Sequence, residues 1–264
     1  MPLTREKFDL LVQKSELREG FSREGRCARA KVGVAHGFLA AGWGRRYHIR
    51  VTKPKGGALR GVFITLEGAD GSGKSTQASL LEAALSSDGR EVVRLREPGG
   101  TAISEKIRGL LLDPNNAEMV PECELLLYEA SRAQLTRQVI EPALARGAVV
   151  LCDRYYDSTY AYQAGGRGLD ETLVRQSNVL GSCGRVPDRT IVLDLEPALG
   201  YARATVGGAD RMEAEGLAFQ ERVRNAYLRL AEEEPGRVRV VAASGEKNVV
   251  TERVLSALED LWVS

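Results

Sequence analysis

The chain has 264 residues, 43% hydrophobic and 28% charged, with 37 basic against 36 acidic side chains, a balance that excludes disordered, collagen-like and strongly one-signed chains. Its longest apolar runs, such as Ala148 to Cys152, fall far short of the roughly 18 to 20 residues a membrane-spanning helix needs. The four cysteines, Cys27, Cys123, Cys152 and Cys183, form no CxxC pair and have no histidine at metal spacing, so neither a zinc site nor a disulfide framework is indicated and a reducing cytoplasm is the expected setting.

The charge is unevenly placed. Residues 1–60 carry 14 of the basic and 5 of the acidic side chains, leaving 23 and 31 for the other 204 residues. This first stretch mixes Gly with Lys and Arg, lacks a sustained period of 2 or 3.6, and has too few clustered aliphatics for a core. It is expected to be an unstructured basic extension or an over-extended gene start. A nucleic-acid or anionic-surface arm is a weaker reading, as is a targeting segment, for which the Leu10-Leu11-Val12 run is too short and the acidic residues too many. Both histidines, His36 and His48, lie here, so chemistry in residues 61–264 must proceed without imidazole, which excludes Ser-His-Asp and Cys-His catalysis there.

From Gly61 the pattern alternates short β-branched runs with longer helical stretches. Strands are expected at Val62 to Leu66, Glu91 to Leu95, Ala148 to Cys152, Thr190 to Leu195 and Val238 to Ala242. Helices are expected at about Lys74 to Ser86, Ala102 to Leu112, Glu122 to Leu144, Leu169 to Leu180, Pro197 to Thr205, Glu215 to Glu233 and Asn248 to Leu261. The order predicts one α/β domain over residues 61–264, a five-stranded parallel sheet covered on both faces, with no internal repeat.

The first strand leads into Gly68-Ala69-Asp70-Gly71-Ser72-Gly73-Lys74-Ser75-Thr76, a match to G-x-x-x-x-G-K-[ST] with strand before and helix after, which predicts the phosphate-loop NTPase fold. Its backbone amides can cradle phosphates, Lys74 can reach the outer ones, and the Ser75 hydroxyl can join Mg²⁺. Neither a guanine-reading N-K-x-D segment nor an L-S-G-G-Q signature occurs, which disfavours a GTPase or a transporter ATPase and leaves a small kinase. An acceptor that is already a phosphate is ionised at neutral pH and needs no general base, so the missing imidazole is no obstacle.

Three further segments place arginines near the expected C-terminal strand ends, where ligands bind in open α/β sheets. Arg96 opens Arg96-Glu97-Pro98-Gly99-Gly100-Thr101, Tyr128 and Arg132 stand at i and i+4, and Asp153-Arg154-Tyr155 closes the third strand. Arg96 and Arg154 suit forked contacts to phosphate, an aromatic beside a guanidinium suits a planar base, and Asp153 suits a role near Mg²⁺.

These motifs, with Ser131-Arg132, Asp153 through Gln163 and Asp210-Arg211-Met212-Glu213, resemble the bacterial thymidylate kinases from about Val62 to the C-terminus. The resemblance implies transfer of the γ-phosphoryl group of ATP to dTMP with Mg²⁺, in a homodimer with the helix near Glu122 to Leu144 as a candidate contact; neither a membrane nor nucleic acid is an expected partner. It implies that Asp70 meets the sugar 3′-hydroxyl, that Arg96 and Arg154 hold the acceptor phosphate, and that Arg132, Thr159 and Gln163 read the polar edge of thymine. Tyr162 would press where a ribose 2′-hydroxyl projects, and Tyr128 would stack on the base where the family usually has phenylalanine. The lid around Gly207-Gly208 departs further, carrying only Arg203 and Arg211 nearby, so one of these is expected to be the catalytic arginine. Met212 and Phe219 are read as packing residues, and Glu221, Arg222, Arg224 and Arg229 as a solvated helix face. Another nucleoside monophosphate or deoxynucleoside kinase, or a non-catalytic nucleotide-binding regulator, remains the alternative.

Overall fold

Continuous apolar runs bounded by Gly and Pro form the five strands of one parallel sheet: β1 (Val62–Glu67), β2 (Val92–Arg96), β3 (Val149–Asp153), β4 (Arg189–Asp194) and β5 (Val238–Ala242), in the order β2-β3-β1-β4-β5. The computed structural model describes residues 60–204 and 211–262. The expected extension (residues 1–60) lies outside these except for Arg60, and the expected lid glycines Gly207 and Gly208 also lie outside. The expected strands are all present, within a residue at each end.

The pleat sends alternate side chains to opposite faces. Ile64, Leu66, Val149, Leu151, Ile191 and Leu193 pack against Leu81 and Leu85 of α1 (Lys74–Ser87) and against Val250 and Val254 of α9 (Lys247–Ser256). On the other face Phe63, Val150 and Cys152 meet Leu135, Ile140 and Tyr155. Val192 and Val238 meet Tyr160, Phe219, Val223 and Tyr227, the last three on α8 (Leu217–Glu233). Burying each large aliphatic or aromatic side chain contributes about 1.5–3 kcal/mol, so both faces are held by the same kind of force.

Between β2 and β3 run α2 (Ala102–Leu112), capped by the Thr101 hydroxyl on the Ser104 amide, and α3 (Pro121–Leu135). The helix expected over Glu122 to Leu144 is not one regular element. It widens into a π turn at Thr136–Ile140 before α4 (Glu141–Ala145). Pro142 has no amide hydrogen and its ring crowds the preceding turn, which accounts for the local widening. A helix unassigned from sequence, α5 (Tyr156–Thr159), continues as a π turn through Tyr160–Gly166. The remaining helices are α6 (Glu171–Gly181) and α7 (Pro197–Ala204). The expected last helix ends at Ser256, and Glu259–Trp262 turns as a separate 3₁₀ segment. Among the described residues no helix is long and apolar enough to cross a membrane.

Candidate active site

β1 is central, with β3 and β4 as its parallel neighbours, so the loop leaving β1 opens at the middle of the sheet's carboxyl edge, where ligands of such sheets bind. Two loop glycines are required by geometry. Gly71 has φ +73°, and a Cβ there would meet the Gly200 carbonyl oxygen at 2.1 Å. Gly73 has φ +92° as the residue before α1, a left-handed conformation that only glycine adopts freely. The loop thus delivers its amides to the start of a 14-residue helix, whose positive end favours an anion.

Lys74 is buried, its Nζ donating to the carbonyl oxygens of Gly68 at 3.0 Å and Ala69 at 2.9 Å. Burial and the neighbouring Arg154 charge bring its ammonium down to about 8, against the pull of Asp70, Asp153 and Glu67. Ser75 Oγ donates to Asp153 Oδ2 at 2.7 Å, so the loop and the end of β3 present two hard oxygens side by side.

Arg154 sits at φ +72°, an uncommon conformation for a residue with a Cβ. Its backbone is fixed from both sides: the amide of Arg154 donates to the Leu66 carbonyl at 2.9 Å, and the next amide, Tyr155, donates to Glu67 Oε1 at 2.7 Å. The side chain donates from Nη1 to the Gly68 carbonyl at 3.2 Å and to Ser158 Oγ at 3.1 Å. Nη2 donates to Tyr162 Oη at 3.0 Å and is ion-paired with Asp70. Tyr162 Oη donates in turn to Asp70 Oδ2 at 3.0 Å.

Glu67, fully buried at the foot of this group, also accepts from Ser158 Oγ at 2.5 Å and from Tyr227 Oη at 2.8 Å. Burial and the Asp157 charge push its carboxyl up to about 7, only partly offset by Ser158, Arg154 and Tyr227. α5 is anchored from below by Asp157, which accepts from Thr190 Oγ1 at 2.7 Å and from Arg237 at 2.6 and 2.9 Å.

The base-facing candidates come from α3 and the α5 segment. Tyr128 is half-buried. Arg132 is 1% exposed, with Nε donating to Glu97 at 2.8 Å and Nη1 to Glu129 at 2.5 Å. Burial pushes Glu97 up to about 8 even beside Arg132. The nearer partners of Arg132 are therefore protein carboxylates, which the sequence reading did not foresee.

Many of these groups, Lys74, Ser75, Tyr128, Arg132, Asp153 and Arg154 among them, line one cavity of about 590 Å³. Of the candidates named from sequence, it brings together Asp70, Gly71, Gly73, Lys74, Ser75, Thr76, Arg96, Tyr128, Arg132, Asp153, Arg154, Thr159, Tyr162, Gln163 and Arg203. Gly68, Ala69 and Ser72 stand behind the lining as parts of the loop. Arg211 is not in the lining. It is 7% exposed, ion-paired with Glu124, and donates from Nε to the Leu111 carbonyl at 2.8 Å. Arg96 reaches the cavity half-exposed, ion-paired with Glu105 at 3.1 Å. Glu97, Arg108, Tyr155, Ser158 and Met212 also line it and were not singled out as site residues. Tyr227 could have been suspected, since Phe219, Val223 and Tyr227 recur every four residues along α8, but that spacing reads first as a core face.

A central parallel sheet, a phosphate-binding loop with an inward lysine, a hydroxyl–carboxylate pair and an arginine-lined cavity fit the class of phosphate-loop nucleotide kinases. Comparison with known proteins narrows this class. The sequence profile described as thymidylate kinase matches residues 66–254, and the chain belongs to the thymidylate kinase family. A thymidylate kinase of Trichlorobacter lovleyi is 47% identical over 210 residues, covering 77% of this chain and 97% of the relative. One from Solidesulfovibrio magneticus is 49% identical over 201 residues, covering 73% and 96%. The solved thymidylate kinase of Ehrlichia chaffeensis superposes with a TM-score of 0.62 at 34% identity, covering 75% of this chain and 99% of that one.

Proposed function

We propose that the chain transfers the γ-phosphoryl group of ATP to the phosphate of dTMP, giving dTDP and ADP, with Mg²⁺. The observation that carries this is the single cavity holding Lys74 and Ser75 together with Arg96, Arg154, Tyr128 and Gln163: it has a phosphate-binding wall, an arginine pair for a second anion and an aromatic-polar wall for a base.

In this reading the loop amides and Lys74 hold the donor phosphates. Arg154 and Arg96 hold the acceptor phosphate, which is ionised at neutral pH because its second pKa is about 6. No side chain has to remove a proton, so positioning and charge neutralisation account for the rate. Asp70 and Tyr162 meet the sugar, and Tyr128, Arg132, Thr159 and Gln163 meet the base. Ser75 Oγ and Asp153 would hold Mg²⁺. Among the described residues there is no cluster of three or more His, Cys, Asp or Glu that could hold a metal alone, and one hydroxyl plus one carboxylate fits an ion that keeps waters and phosphate oxygens as its remaining ligands. When bound, it would neutralise charge between the outer phosphates.

The reading includes a cytoplasmic setting, in keeping with the free Cys123, Cys152 and Cys183. It also includes a homodimer formed through α3 and α6. These helices pack on each other and leave Leu126, Val179 and Leu180 65%, 65% and 80% exposed.

A coupled ADP-release assay tests the activity. Turnover is expected with dTMP and Mg²⁺, falling strongly with dCMP, AMP or GMP; a preference for any of these three over dTMP, or ATP binding without transfer, overturns the proposal.

A further inference from the structure

Glu124, on α3, is fully buried and stands outside the cavity lining. Its Oε1 accepts from Gln163 Nε2 at 2.8 Å and from Arg167 Nε at 3.1 Å, and its Oε2 accepts from Arg167 Nη2 at 2.9 Å. Arg211 Nη2 lies 2.5 Å from the same Oε2. Two segments distant in sequence, Gln163 with Arg167 and Arg211, therefore converge on one carboxylate. Burial by itself would favour the neutral acid, but hydrogen bonds from Arg167 and Gln163 and the charges of Arg167 and Arg211 outweigh it and hold the group below the usual carboxylate range.

An ionised carboxylate accepts hydrogen bonds and donates none. The Gln163 amide therefore keeps its nitrogen toward Glu124, because the flipped amide would set its carbonyl oxygen against a carboxylate oxygen at the same separation. Gln163 is itself 1% exposed and forms part of the cavity wall, so little water is at hand to offset such a flip. With the nitrogen committed, the amide oxygen is the group left for a base.

We propose that Glu124 is a positioning residue for base selection: by holding the Gln163 nitrogen it presents the Gln163 oxygen to the acceptor, favouring a pyrimidine that donates from N3 over one that accepts there. This rests on the reading of Gln163 as a base contact. Thymine and uracil carry a hydrogen on N3, whereas cytosine has a lone pair, so a fixed acceptor pairs with the first two and opposes the third. Arg167 and Arg211 keep Glu124 charged and so keep the device set. A free Gln163 amide would flip and serve both kinds of base, blunting the discrimination.

The test compares wild type, E124D, Q163L and the double variant by steady-state kinetics with dTMP and dCMP, alongside thermal unfolding. E124D keeps the charge that Arg167 and Arg211 require while withdrawing the carboxylate from Gln163, so it is expected to fold. The dTMP-over-dCMP preference in kcat/KM is expected to fall about tenfold in Q163L and in E124D, the change lying in the acceptor KM more than in kcat, with no additional loss in the double variant. Full preference in E124D alongside lost preference in Q163L would overturn the positioning role while leaving the base contact intact. Full preference in Q163L would remove the base contact itself. An equal loss on both nucleotides in E124D, accompanied by a lower melting temperature, would mark Glu124 as a structural anchor only and equally overturn the proposal.

Discussion

Tyr162 Oη accepts from Arg154 Nη2 at 3.0 Å and donates to Asp70 Oδ2 at 3.0 Å, so the arginine and the tyrosine are tied to one carboxylate. The guanidinium carries the charge of this group and the phenol sets its angle. Replacing Arg154 by Ala removes two or more charge-assisted contacts of about 1.5–3 kcal/mol each. It should lower kcat/KM for dTMP by roughly 10² to 10⁴, while Tyr162→Phe costs about tenfold. Steady-state kinetics with dTMP and ATP each varied at a saturating level of the other check both; an effect of Arg154→Ala confined to the ATP KM would place the arginine on the donor side.

Arg203 and Arg211 were equivalent candidates from sequence, and their surroundings separate them. Arg203 lines the cavity, whereas Arg211 is held by Glu124 and the Leu111 carbonyl. Arg203→Ala is expected to reduce kcat by roughly 10³, the lower end of what a transition-state arginine supplies. Arg211→Ala should instead lower the melting temperature, because it leaves buried Glu124 short of a positive partner. Single-turnover rates with thermal unfolding on both variants distinguish these outcomes, and unchanged turnover in both would remove the arginine role altogether.

Glu67 links pH to stability. Its carboxyl rises from an ordinary 4.5 to about 7 in the folded chain, through burial first and the Asp157 charge second. Between these values the folded state keeps a proton that the unfolded state releases, so stability present below about 4.5 is lost as pH rises through about 7. The loss amounts to about 3 kcal/mol. Glu67→Gln cannot ionise, and its amide nitrogen can donate to the Ser158 or Tyr227 hydroxyl as the protonated carboxyl does; it should melt near wild type at pH 5, with a gap opening in its favour by pH 8. Thermal melts at the two pH values check the trend, and a constant gap would show that Glu67 is charged throughout.

The apolar exposure of Leu126 and Leu180 predicts that Leu180→Asp, alone or with Leu126→Asp, shifts the particle from twice the chain mass to once. Light scattering on variants that keep their melting temperature measures this. Wild-type protein that is monomeric at micromolar concentration would end the dimer reading.

Most of the sheet was legible in the sequence because fully buried parallel strands leave unbroken apolar runs, and the phosphate loop because its glycines answer a local backbone demand. The segment Tyr156–Gly166 was recognised for its side chains but not as a helix. It is short, rich in tyrosine and partly π-wound, and it is held by Asp157 pairing with Arg237 eighty residues away. The partners of Arg132 were hidden for a similar reason: Glu97 reaches it from the end of β2, a contact no local pattern encodes. Local chemistry announces the phosphate-loop side of the cavity, whereas the wall from α3 and the α5 segment is assembled by tertiary pairing.

Strand register has a mechanical corollary. Asp153 is the rung partner of Leu66 on one side and Arg96 on the other, so the chain leaves three adjacent strands, about 4.8 Å apart, at one level beside the cavity. The sheet acts as a ruler, and its graduations are backbone hydrogen bonds that side-chain substitution does not erase. Drift in the spacing between the two nucleotides would have to come from the outer helices and loops, which is where adaptation to temperature or to an inhibitor can adjust the enzyme without recutting the scale.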